Sequence, residues 1–151
     1  MISITTQNIF GSRAQALVNP VNLQGVSGAG LALEFKNRFP EIVFSSYKRD
    51  CKDGTLQIGK VSYVTVVNPK DENVVVIVNF PTKDHWKDPS DMSYIRRGLE
   101  SLRELILDLK ISSISIPLLG CGLGGLDSDE VIKTINEFLK DLDCEVIIHV
   151  R

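Results

Sequence analysis

Val74-Val75-Val76-Ile77-Val78 is an unbroken run of β-branched residues, and it limits the possible folds more than any other stretch of the chain. β-branched side chains favour extended backbone. A strand that is apolar at every position, rather than every second one, has to be covered on both faces. It belongs at the centre of a sheet with helices above and below. Spacing and composition place strands at Ile2–Thr5, Ala16–Pro20, Gly59–Val67, Asn73–Phe80, Ser112–Leu118 and Cys144–Val150. Helices are expected at Gly28–Arg38, near Glu41–Lys52, at Asp91–Lys110 and at Asp127–Leu142. Ile95, Leu99, Leu102, Leu105, Ile106 and Leu109 recur at helical spacing in the third of these. Asp91 and Ser93 stand where its cap belongs, and Asp127 or Ser128 opens the last helix with Asp129 and Glu130 in its first turn. The order β-β-α-α-β-β-α-β-α-β predicts an α/β fold: three layers, α/β/α, around a mixed, mostly parallel sheet.

The 151 residues fit one domain, long enough to fold on its own core. With 43% hydrophobic and 24% charged residues, the composition is that of a folded chain and not a disordered one. A net charge of −2 argues against gripping nucleic acid by bulk electrostatics, though not against holding a nucleic-acid end in a pocket. Cys51, Cys121 and Cys144 are odd in number and widely spaced, and match neither a zinc site nor a disulfide framework. No metal or cofactor is therefore expected. The N-terminus has no signal-peptide pattern, and no apolar stretch approaches the roughly 20 residues that span a membrane. A cytoplasmic, monomeric protein is the expectation.

Chemistry is concentrated in two glycine-rich loops, each running from a strand into a helix. In such sheets ligands bind beyond the carboxyl ends of the strands, where loops of this form lie. The first extends from Asn19 and Asn22 through Gly25, Gly28, Ala29 and Gly30. Glycine lets backbone approach a ligand, and the N–H groups at a helix start attract anions, which suits a pyrophosphate. The second, Gly120-Cys121-Gly122-Leu123-Gly124-Gly125, has four glycines in six residues. That density is costly unless a ligand or special backbone geometry requires it. Together the loops describe a cleft closed over a diphosphate from two sides.

Val18-Asn19-Pro20-Val21-Asn22, followed by Gly28-Ala29-Gly30-Leu31-Ala32, resembles the macrodomain signature. Ser115-Ile116-Pro117-Leu118-Leu119-Gly120-Cys121-Gly122 resembles the second macrodomain loop. The likeness runs from Ile2 to the last strand. Asn79-Phe80-Pro81-Thr82-Lys83-Asp84-His85-Trp86 is similar to the corresponding segment of DarG-type macrodomains, which remove ADP-ribose from DNA bases. The terminal ADP-ribose protein glycohydrolases share the lysine.

The resemblance implies a role for each residue. Asn22 would position the distal ribose, with Asn19 beside it. Gly28, Ala29 and Gly30 would cradle the pyrophosphate from one side, and Gly120, Cys121, Gly122, Leu123 and Gly124 from the other. Lys83 would be the catalytic lysine, attacking the anomeric carbon of an opened ribose or assisting departure of the base, with Thr82 next to it. A pocketed amine can form a Schiff base with the aldehyde of a ring-opened sugar. Asn8, before Ile9, stands where macrodomains usually carry an aspartate that reads the adenine amino group; an amide oxygen can still accept that hydrogen bond. The acidic residue that protein-directed relatives place in the second loop is missing, since Gly124 or Gly125 stands there and Asp127 reads as a helix cap. Cys121 has no partner histidine in sequence and is expected to act through its backbone. His85 and Trp86 each fit either a loop anchor or a platform contacting an extruded base or nucleotide, with the anchor favoured for His85. Lys87, Arg96 and Arg97 fit a phosphodiester or a solvated face equally.

These features leave three readings. One is a glycohydrolase acting on ADP-ribosylated, single-stranded DNA, as an antitoxin to an ADP-ribosyltransferase toxin or as an anti-defence factor. Another is a reader of ADP-ribose or a derived signal, without turnover. The third is a hydrolase of protein-linked ADP-ribose or of ADP-ribose metabolites. The lysine in its full motif favours an enzyme, because binding alone needs no amine there.

Overall fold

The computed structural model describes residues 1–150. Six strands form one sheet in the order β1-β6-β5-β2-β4-β3. They are β1 (Ile2–Thr5), β2 (Ala16–Val21), β3 (Ser62–Val67), β4 (Val74–Pro81), β5 (Ser113–Pro117) and β6 (Glu145–His149). All neighbours pair parallel except β3, which runs antiparallel to β4 at one edge. The helices are α1 (Gly30–Arg38), α2 (Glu41–Asp53), α3 (Met92–Leu109) and α4 (Ser128–Leu139), and a short 3-10 turn covers Ile9–Gly11. This is the three-layer mixed sheet that the sequence pattern predicts.

The apolar run in β4 explains the layering. Val76, Val78 and Phe80 face α3 and α4, packing with Leu99, Leu102, Val131 and Ile135. Val75 and Ile77 face the other way, toward Phe35 and Phe39. Each buried valine or isoleucine contributes about 1.5–3 kcal/mol relative to exposure, so a strand with both faces apolar is stable only between two helical layers. Val74, at the strand's open end, is 64% exposed and contributes little to this. Asp91 and Asp127 cap α3 and α4 as expected, accepting from the N–H groups of Ser93 and Glu130.

Some boundaries differ from the sequence expectation. Strand β3 starts at Ser62 instead of Gly59, because Gln57 and Lys60 exchange backbone hydrogen bonds and close a tight turn first. Helix α1 starts at Gly30 instead of Gly28; Ala29 is its N-cap, in extended backbone. Helix α4 stops at Leu139, short of Leu142, whose N–H turns back to the Leu139 carbonyl. Strands β5, β2 and β4 are parallel neighbours, so the loops leaving their carboxyl ends converge on one edge of the sheet.

Candidate functional site

Those three loops enclose a cavity of about 700 Å³. The loop after β2 contributes Asn22, Gly28, Ala29 and Gly30; the loop after β4 contributes Thr82, Lys83, Trp86 and Ser90; the loop after β5 contributes Gly120, Cys121, Gly122, Leu123 and Gly124. Most of the predicted residues thus meet at one place, although the loops are distant in sequence.

The two glycine loops present donors. Among the described residues, the N–H groups of Gly28, Ala29 and Gly30 and those of Gly122, Leu123 and Gly124 donate to no protein acceptor. Gly30 takes a left-handed φ of +58° at the start of α1, a turn that a side chain would strain. Gly124 packs so closely that a Cβ there would overlap the Gly120 carbonyl oxygen and Ser90 Oγ. Unpaired amides facing each other across a cleft, one set at a helix N-terminus, form an anion site.

Lys83 is the one charged side chain among the described residues lining the cavity. It is half-buried, and its Nζ donates to the Trp86 carbonyl at 3.1 Å. The lysine loop is tied on both sides. Leu23 N–H donates to the Asp84 carbonyl at 2.9 Å, and Gln24 Nε2 donates to Asp84 Oδ1 at 3.0 Å. At its far end Ser90 N–H donates to the Gly124 carbonyl at 3.0 Å. The loop that carries the amine is therefore anchored to both glycine loops. Among the described residues no group of three or more His, Cys, Asp or Glu could hold a metal ion.

Asn22 lines the cavity, but most of its amide is already engaged. Its Oδ1 accepts from Gln24 N–H at 2.9 Å and from the Tyr47 hydroxyl at 2.8 Å, and its Nδ2 donates to the Val26 carbonyl at 2.9 Å. One N–H of the side chain remains for a ligand. Burial pushes the Tyr47 hydroxyl far above the ordinary phenol range, which keeps it a donor. Burial likewise pushes the Cys121 thiol up, away from the thiolate form that a nucleophile needs. The expectation of a backbone role for Cys121 agrees with this.

Four predicted site residues, Asn19, Asn8, Ile9 and His85, fall outside this cavity. Asn19 is buried below the cavity and does not line it. It stands in register with Asn79 and Ser62 across β2, β4 and β3. Its Nδ2 donates to Asn79 Oδ1 at 3.4 Å, and its Oδ1 is buried without a protein partner. Asn8 and Ile9 follow β1, which is separated from β2 by β6 and β5, and line a smaller cavity of about 220 Å³ with Gln7, Leu31, Glu34, Pro117 and His149. Leu31 also borders the larger cavity, so the two cavities adjoin at that residue. Asn8 Oδ1 accepts from Phe10 N–H at 2.9 Å and so caps the 3-10 turn. His85 does not line the cavity; its Nδ1 accepts from Lys87 N–H at 3.1 Å, an anchor as expected. Arg96 pairs with Glu137, and Arg97 donates to the Ile58 carbonyl.

Several contributors have no sequence signal. Ser90 is buried with Oγ unpartnered, while Tyr47 and Asp84 steady the loops from a distance. His149 links Gln7 to Ser115 at the floor of the smaller cavity through bonds of 2.9 Å at each ring nitrogen.

Comparison with known proteins agrees with this geometry. The Macro domain family profile matches residues 18–135. A DNA ADP-ribosyl glycohydrolase of Mycobacterium tuberculosis is 40% identical over 99% of this chain. The chain spans 42% of that relative's length. The macrodomain of Thermus aquaticus DarG superposes with a TM-score of 0.90 at 38% identity, covering 100% of this chain and 99% of the other. Thermosipho africanus DarTG, solved with ADP-ribose, gives 0.92 at 33% identity over 99% of this chain and 41% of the other.

Proposed function

This chain belongs to the macrodomain family, and we propose that it hydrolyses ADP-ribose from modified DNA bases with Lys83 as the reacting amine. The observation that carries this reading is the isolation of Lys83. An anion cradle lined by amides contains one charged side chain and no carboxylate, so acid–base and nucleophilic work both fall to Nζ. A binder of a dianionic ligand would be served by the amides alone.

The chemistry follows from the placement. The paired amide sets hold the diphosphate, the remaining Asn22 N–H meets the distal ribose, and the anomeric carbon lies toward Lys83. Nζ leaves its contact with the Trp86 carbonyl and bonds to the anomeric carbon as the base departs with the proton that Nζ gives up. The resulting glycosylamine opens to an imine, and water hydrolyses it to ADP-ribose and free lysine. The adenine end would extend past Leu31 into the smaller cavity, where Asn8 retains an acceptor lone pair. The substrate is supplied by a DNA ADP-ribosyltransferase, and reversing such a toxin's modification would make this chain an antitoxin or an anti-defence factor.

The test offers three substrates to the protein: an ADP-ribosylated single-stranded oligonucleotide, a peptide carrying a carboxylate ester of ADP-ribose, and ADP-ribose phosphate. Preferential release from the oligonucleotide is expected. Preference for either of the others would move the activity to proteins or metabolites.

A further inference from the structure

The larger cavity has a second chemistry at its mouth. Trp86, Val26 and Leu123 line it, yet they are 45%, 38% and 86% exposed. Large apolar side chains left in water around one opening mark a contact surface. Trp86 is bound to the reacting group itself, because its carbonyl accepts the Lys83 Nζ hydrogen bond. Whatever is attached to the carbon that Nζ attacks lies in the cavity that Trp86 also lines.

Trp86 is also pre-ordered. Its indole stacks on His85 with centroids 3.9 Å apart and planes 26° from parallel. The imidazole is fixed in turn by Lys87 N–H. One indole face is thus occupied by His85, while the side chain as a whole is 45% exposed and borders the cavity. A flat ring added to the opposite face extends a stack that already exists, with little side-chain ordering left to offset the gain.

We infer that the face of Trp86 not covered by His85 seats the nucleobase from which ADP-ribose is cleaved. This rests on the reading of the cavity as an ADP-ribosyl-DNA site. Within a duplex both faces of a base are covered by its neighbours, so a base reaches the indole only when unstacked. A protein carboxylate ester presents no aromatic face and makes no comparable use of the exposed apolar rim. His85 acts as backing for the platform, not as a ligand contact.

The test compares wild type, Trp86→Ala and Trp86→Phe for ADP-ribose release from a modified single-stranded oligonucleotide, alongside calorimetric affinity for free ADP-ribose. Losing one base stack lowers kcat/KM about 5- to 150-fold in Trp86→Ala, with most of it recovered in Trp86→Phe. Free ADP-ribose affinity stays at the wild-type value. Trp86 is the single tryptophan of the chain, so its emission reports on the seat directly. In Lys83→Ala, which would hold the substrate uncleaved, the modified oligonucleotide quenches that emission and free ADP-ribose does not. Wild-type kcat/KM in Trp86→Ala overturns the seat and leaves the glycohydrolase reading intact. So does an equal loss on an ADP-ribosylated carboxylate-ester peptide, or a parallel loss of ADP-ribose affinity. Absence of release from the oligonucleotide by wild type, with ADP-ribose still bound and emission unchanged by the oligonucleotide, overturns both.

Discussion

Replacing Gly124 by alanine should damage both the fold and ligand binding, and the structure sets the scale. The added methyl would overlap the Gly120 carbonyl oxygen and Ser90 Oγ. The carbonyl is backbone, and it already accepts Leu126 N–H at 3.0 Å, so it cannot simply turn aside. Relief requires moving the loop, and overpacking of this kind costs about 1–3 kcal/mol. In a domain of this size, that lowers Tm by about 2–12 °C. The same displacement moves the amides of Gly122, Leu123 and Gly124 off the diphosphate. One lost hydrogen bond to a charged group, about 1.5–3 kcal/mol, weakens ADP-ribose binding about 10- to 150-fold. Gly122→Val provides the contrast. A Cβ at Gly122 meets nothing within 4 Å, so the fold tolerates the substitution while its side chain fills the cleft. Thermal unfolding and titration calorimetry with ADP-ribose separate the two cases. Gly124→Ala should lose Tm and affinity together, and Gly122→Val affinity alone. Wild-type affinity in Gly122→Val would show that the second loop does not hold the diphosphate, and a wild-type Tm in Gly124→Ala would refute the packing argument.

Three other perturbations probe separate parts of the account. Gly98→Ala in α3 drives a methyl into the fully buried Phe80 ring, and this outweighs the gain of about 1 kcal/mol in helix propensity; chemical denaturation should show a net loss. Tyr47→Phe removes the hydroxyl that steadies Asn22 and should cost about 1 kcal/mol at neutral pH. Above pH 10.0 the unfolded chain releases the Tyr47 proton and the folded chain keeps it, so wild type loses up to about 1.4 kcal/mol per pH unit that Tyr47→Phe does not. Parallel pH–stability curves for the two would disprove that burial. Cys121→Ser should retain turnover within about threefold, since the raised thiol supplies no nucleophile; a loss of several orders of magnitude would reinstate the cysteine.

The features legible in the sequence are those written in local periodicity or in dense glycine. The β-branched run at Val74–Val78 shows a central strand because its two faces carry the same signal, and the caps at Asp91 and Asp127 show where α3 and α4 begin. The convergence of the loops bearing Gly28, Lys83 and Gly122 was accessible through the rule for carboxyl ends of parallel strands. What the sequence hides are contacts between distant positions. Asn19 sits in the same motif as Asn22, but it lies within β2, where the strand register sets it beside Asn79. Ser90 has no motif, and its burial against Gly124 depends on the approach of a loop more than thirty residues later. Tyr47 reads as an ordinary helix residue until α2 folds beside the first loop. The stacking of His85 on Trp86 depends on a local loop shape that no spacing rule encodes.

The most direct test of the central claim is ADP-ribose release from an ADP-ribosylated single-stranded oligonucleotide by wild type and by Lys83→Ala, with ADP-ribose affinity measured on both. The account predicts release by wild type, loss of nearly all of it in Lys83→Ala, and similar affinities, because the amides and not the lysine hold the diphosphate. Release at the wild-type rate by Lys83→Ala would contradict it.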